Sequence, residues 1–93
     1  MKRQKTDAPA YVLRQIRTEL GLSQEEVGRR IQLDRAYVAY LETGRRYPSI
    51  DMLISFAHAF EMQPGELLDR ISERIAGGKA RPLTLRQPRP VLI

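Results

Sequence analysis

The sequence predicts an all-α fold, five short helices on one core, set between a basic N-terminal arm and a proline-rich C-terminal tail. Three observations carry this expectation. Apolar residues recur at intervals of three and four along the middle of the chain, Ser, Asp and Pro stand where helices start, and Gly stands where they end. The same punctuation divides the 93 residues into an arm over 1–8, a helical domain over 9–76 and a basic tail over 77–93 expected to be flexible. A chain of this length holds one core, since independent domains usually need about 100 residues or slightly fewer.

From Pro9 to Leu20 the residues Leu13, Ile16 and Leu20 recur at helical spacing, and Gly21 offers the left-handed backbone that commonly ends a helix. Ser23-Gln24-Glu25-Glu26 is a capping box, in which the Ser23 hydroxyl accepts from the third helical N–H and Glu26 reaches back to the Ser23 N–H. The second helix therefore starts at Gln24, buries Val27 and Ile31, and stops before Gln32-Leu33. Asp34 is the next good cap, so a third helix begins at Arg35, turns Val38 and Leu41 inward and stops before Gly44. Ser49 caps a fourth, whose Ile50, Leu53, Ala57 and Phe60 form a stripe expected to face the core. Pro64 suits the first position of a fifth, where a missing N–H costs nothing; Leu67, Leu68, Ile71 and Ile75 continue an apolar side up to Gly77-Gly78.

Composition narrows the function classes. With no cysteine and a single histidine, His58, neither a disulfide framework nor a thiolate or histidine metal site can be assembled, and no cofactor is implied. No nucleophile stands with a base, adjacent Glu25 and Glu26 point apart on their helix, and no phosphate-cradling glycine loop is present, so an enzyme is not expected. The basic N-terminus is followed by no apolar stretch, and no run of about 18 apolar residues exists, which predicts a cytoplasmic protein with no membrane contact. Charge is unevenly spread. Residues 1–46 carry ten basic and six acidic side chains, residues 47–74 two and five, and residues 75–93 four and none. That distribution suits a domain presenting one face to phosphates.

The segment Gln24 to Leu41 has the layout of a helix-turn-helix, two short helices joined by a tight turn, in which the first crosses the DNA backbone and the second enters the major groove. Taken through its last helical turn the unit spans 24–43. It needs a small residue in the first helix so that the second can pack across it, and Gly28 is that residue.

Three stretches give the sequence its likeness to a known family. They are Gly21-Leu22-Ser23-Gln24-Glu25-Glu26-Val27, Val38-Ala39-Tyr40-Leu41-Glu42-Thr43-Gly44-Arg45-Arg46-Tyr47-Pro48-Ser49, and the following Leu53, Ala57, Phe60 and Glu66-Leu67-Leu68. In this order and spacing they resemble the Cro/CI-like (XRE) helix-turn-helix family. The resemblance implies a five-helix, lambda-repressor-like DNA-binding domain and a regulator of transcription, expected to be a repressor acting as a homodimer on an inverted repeat in double-stranded DNA. It implies roles by position. Gln24 falls where the family has a glutamine that bonds a phosphate and braces the reading helix; Arg35, Ala36, Tyr37 and Tyr40 fall where members contact bases. Arg45 and Arg46 would clamp the backbone, and Arg17 and Glu42 match a structural ion pair between the first helix and the end of the third. The chemistry agrees, because Arg35 can make bidentate bonds to guanine and Ala36 or Tyr37 can touch a thymine methyl.

Departures from the family pattern carry their own expectations. Gln32 stands where the turn usually has glycine, and a left-handed glutamine costs about 1 kcal/mol. Gly28 replaces the usual alanine, at about 0.5–1 kcal/mol of helix stability. Tyr37 and Tyr40, three apart, suit packing as well as DNA contact. Lys2, Arg3 and Lys5 could reach a neighbouring groove or simply fray. In the tail, prolines exclude a helix, Leu83-Thr84-Leu85 could add a strand to a partner, and an alternative function follows: an antitoxin or other protein-binding module using the tail to bind a partner protein. The fifth helix and the tail are the expected dimer surfaces.

Overall fold

Each helix begins where local chemistry satisfies its first N–H groups. In the computed structural model, which describes residues 5–80, these starts give α1 (Ala8–Glu19), α2 (Gln24–Ile31), α3 (Arg35–Glu42), α4 (Ile50–Ala59) and α5 (Pro64–Ala76). The Ser23 hydroxyl accepts from the Glu26 N–H at 3.0 Å, and the Ser23 N–H donates back to the Glu26 carboxylate at 3.1 Å. Asp34 accepts from the Tyr37 N–H at 3.2 Å and Ser49 from the Met52 N–H at 3.1 Å. Pro9 and Pro64 stand in the first turns of α1 and α5, where no N–H is missed. Residues 81–93, with the strand-addition and partner-binding expectations placed on them, lie outside the described residues, as do Lys2 and Arg3.

Helix ends are as local as the starts. Gly21 takes a positive φ of 71° and the Leu22 N–H donates to the Arg17 carbonyl at 3.0 Å, the pattern that satisfies otherwise orphaned carbonyls at a C-terminus. Two non-glycine residues do the same. Gln32 has φ 61° and ψ 41°, with the Leu33 N–H donating to the Gly28 carbonyl at 2.8 Å. Glu61 has φ 56°, with the Met62 N–H donating to the Ala57 carbonyl at 2.9 Å. The expected left-handed glutamine is present.

Helix pairs α1–α5, α5–α4, α4–α2, α2–α3 and α3–α1 all pack together, which closes a ring around the core. Leu13, Val27, Val38, Leu41, Phe56 and Leu67 are fully buried, so every helix supplies at least one core residue. Each such side chain contributes about 1.5–3 kcal/mol of burial. Phe56 and Phe60 meet at 5.8 Å between ring centroids in a tilted pair. Across the α1–α5 seam, Arg70 pairs with Glu19 at 3.2 Å, and the Arg74 guanidinium stacks on the Tyr11 ring at 3.3 Å.

The apolar stripes are shifted from those expected. Leu20, Ile50, Leu68 and Ile75, expected on the apolar sides of their helices, are 51, 62, 43 and 47 % exposed. Leu20 lies past the last residue of α1, where helical spacing no longer applies, and Ile50 is the first residue of α4, above the level of the core. In α1 the places are filled by Ala8 and Val12, both buried. Leu67 and Ile71 alone carry the buried side of α5.

Gly28 is needed for a reason that helix propensity does not give. A Cβ built there meets the Leu33 carbonyl oxygen at 2.5 Å, so the turn after α2 folds back against the position a side chain would occupy. The cost of glycine in the helix is set against a turn that lies flat on it.

Candidate nucleic-acid interface

The interface is built from the ends of α2 and α3 and the loop that follows α3. At its base lies the Arg17–Glu42 pair. The Arg17 Nε donates to Glu42 Oε2 at 2.6 Å and Nη2 to Oε1 at 3.0 Å, while Nη1 donates to the Leu22 carbonyl at 2.8 Å. The side chains are 13 and 2 % exposed. Such a buried pair is tolerated when its polar atoms find partners, and here every guanidinium nitrogen and both carboxylate oxygens have one.

Gln24 extends the network outward. Its Nε2 donates to Glu42 Oε1 at 3.0 Å, and its Oε1 accepts from Arg35 Nη1 at 3.4 Å. A single amide thus joins the buried carboxylate at the end of α3 to the exposed arginine at its start. One N–H of the Gln24 amide is left for a further acceptor. Glu26 on the same helix stays out of this chain: the Ser23 backbone N–H holds its carboxyl below the usual carboxylate range.

Arg35 and Ala36 are exposed in the first turn of α3, where helix-turn-helix proteins contact base edges. The two tyrosines part company. Tyr37 is half-buried and packs against the core, whereas Tyr40 is exposed and lies beneath the Arg45 guanidinium, 4.7 Å from ring centroid to cation. Arg45 and Arg46 are exposed in the loop between α3 and α4, and the Arg46 N–H donates to the Tyr40 carbonyl at 3.1 Å. Pro48, which closes this loop, is buried. The structure therefore ties Gln24 to Arg35 and Tyr40 to Arg45 and Arg46, leaves Ala36 exposed beside Arg35, and packs part of Tyr37 against the core.

Sequence reasoning missed two features. The link from Gln24 to Arg35 spans eleven residues and has no local signal. The contact of Lys5, an arm residue expected to reach a neighbouring groove or fray, with the Tyr47 ring, Nζ 4.8 Å from its centroid, is the second; the basic arm and a ring beside Arg45 and Arg46 were the available signal. His58 is exposed on α4. Among the described residues no group of carboxylates and imidazoles is arranged to hold a metal, and no helix is long and apolar enough to cross a membrane.

Comparison with known proteins agrees with this geometry. A helix-turn-helix family model matches residues 13–67. An uncharacterised HTH-type transcriptional regulator of Sinorhizobium fredii, y4dJ, is 38 % identical over 58 residues, covering 62 % of this chain and 75 % of its own. Among solved structures, the clp gene regulator ClgR of Corynebacterium glutamicum superposes with a TM-score of 0.72 at 25 % identity, over 77 % of each chain. The restriction-modification controller protein C.AhdI of Aeromonas hydrophila superposes at 0.59 with 40 % identity, over 62 % of this chain and 84 % of that one. With the family matched over more than half its length, on a fold and a reading helix of the same kind, this chain belongs to the XRE-type helix-turn-helix family of DNA-binding transcriptional regulators.

Proposed function

We propose that the protein is a cytoplasmic repressor that occupies an inverted repeat in duplex DNA as a homodimer, with α3 of each protomer in successive major grooves about 34 Å apart. The observation that carries this reading is the exposed Arg35 at the start of α3, tied through Gln24 to the buried Arg17–Glu42 pair. An arginine fixed in this way meets a guanine edge with little loss of side-chain freedom. Arg35, Ala36 and Tyr40 read bases; Gln24, Arg45 and Arg46 hold phosphates. Repression follows from occupancy of the site, which needs no further surface. The dimer is supported by apolar residues left exposed on the packed pair α4 and α5, Ile50, Ile54 and Leu68.

Selection of bound sequences from a random duplex library tests the reading, followed by titration of the winner and of random DNA. Arg35→Ala is expected to cost about 1–3 kcal/mol on the selected site and much less on random DNA, whereas Arg45→Ala weakens both alike. Equal losses for Arg35→Ala on the two DNAs would remove it as a base reader. Recovery of no inverted repeat would remove the dimeric operator.

A further inference from the structure

We propose that Lys5 is a DNA-backbone contact of this interface, held in place by the ring of Tyr47; the inference rests on the DNA-binding reading above. Three observations converge on it. First, the chain near Lys5 is anchored: Ala8 is fully buried, its N–H donates to Thr6 Oγ1 at 3.2 Å, and the Tyr11 N–H donates to the Asp7 carbonyl at 2.9 Å. Lys5 is thus three residues from a core position, too close to wander far from the loop it lies against. Second, its ammonium sits 4.8 Å from the centroid of Tyr47, which stands between Arg46 and the buried Pro48. Third, the same loop repeats the device, since Arg45 lies over Tyr40 at 4.7 Å.

Two cations held by aromatic faces, Lys5 on Tyr47 and Arg45 on Tyr40, with Arg46 next to Arg45 in the sequence, concentrate positive charge on one loop. No acidic residue occurs between Glu42 and Asp51, and the Glu42 carboxylate is committed to Arg17 and Gln24. The choice of ring over carboxylate matters. An ion pair cancels the charge it positions, whereas a cation over a ring keeps its full charge and only loses freedom. A surface built this way repels itself when free and is relieved by a polyanion, which here is the phosphate backbone flanking the groove that α3 enters. Lys5 therefore widens the backbone clamp of Arg45 and Arg46 and adds no base preference.

The test is a salt titration of the full chain on the selected duplex and on random duplex, between about 50 and 200 mM salt. Lys5→Ala should lower the slope of log affinity against log salt by about 0.9 per protomer, equivalent to about threefold less sensitivity across that range, and equally on both DNAs. Lys5→Arg and Tyr47→Phe should retain the wild-type slope, while Tyr47→Ala should reproduce the Lys5→Ala loss. Thermal midpoints are measured alongside, and Lys5→Ala should melt with the wild type. A wild-type slope for Lys5→Ala overturns the contact and leaves the DNA-binding reading standing. A wild-type slope for Tyr47→Ala, with a reduced slope for Lys5→Ala, overturns the positioning role of the ring. Failure of the wild-type chain to bind duplex at any salt overturns both readings together.

Discussion

The Glu42 carboxylate receives three N–H donors, two from Arg17 and one from Gln24, with the side chain 2 % exposed. Removing it strands a guanidinium that has only the Leu22 carbonyl left, and also frees the Gln24 amide that holds Arg35. Glu42→Ala is therefore expected to destabilise the domain by about 3–5 kcal/mol, the usual cost of breaking a buried pair from one side. The double substitution Arg17→Met with Glu42→Leu, which removes both charges and keeps the volume apolar, should recover most of that loss. Urea unfolding measures both; a double variant as unstable as the single one would mean that the pair contributes more than its own charges. The same two variants separate stability from reading, because the double variant still lacks the Glu42 acceptor for Gln24 and should lose discrimination between selected and random DNA. Residue types alone name Arg17, Gln24, Arg35 and Glu42 only through the family pattern. Their connection spans up to 25 residues and is a property of the packed chain.

At the scale of the element, helix boundaries were legible because caps are local chemistry. Ser23, Asp34 and Ser49 accept bonds from N–H groups three residues ahead, and no distant residue has a say in that. The buried stripes were less legible, since spacing gives a face but not where the core stops: Ile50 has the right phase with Leu53 and Ala57, yet it sits above the core. Gly28 shows the third case, where the sequence gives the residue and the structure gives its reason, the Leu33 carbonyl lying 2.5 Å from a Cβ. The turn it permits is strained at its next step. Gln32 holds φ 61° without the freedom of glycine, while its Leu33 N–H bond to Gly28 at 2.8 Å keeps it there. Gln32→Gly should relieve part of this and raise stability by about 0.5–1 kcal/mol, the left-handed penalty less the added freedom of the unfolded chain. Gln32→Val, branched at Cβ, should lower it. The check is the urea midpoint at constant m-value, and a Gln32→Gly midpoint at or below the wild type would show that the turn carries no relievable strain.

At the scale of the molecule, charge is unevenly distributed along the chain. Residues 1–46, from the arm through α3 and the arginine loop, carry the basic excess, and residues 47–74, which hold α4 and nearly all of α5, carry the acidic one. In the proposed complex the duplex meets α3 and the arginine loop, while α4 and α5 expose Ile50, Ile54 and Leu68. Ile50 and Ile54 are four apart and so share a face of α4, an apolar strip that the proposed dimer would cover. The acidic excess there is a restraint on how closely two copies approach, which makes the apolar contact decisive. Ile54→Lys and Leu68→Lys are each expected to shift the chain to monomer in sedimentation equilibrium, with thermal midpoints close to the wild type because neither side chain is in the core. Binding to a full inverted repeat should then fall to near the product expected of two independent half-sites, while binding to an isolated half-site is unchanged. If both variants remain dimeric and keep wild-type affinity for the full repeat, the pairing surface lies elsewhere on the chain, and α4 and α5 expose their apolar side chains for another purpose.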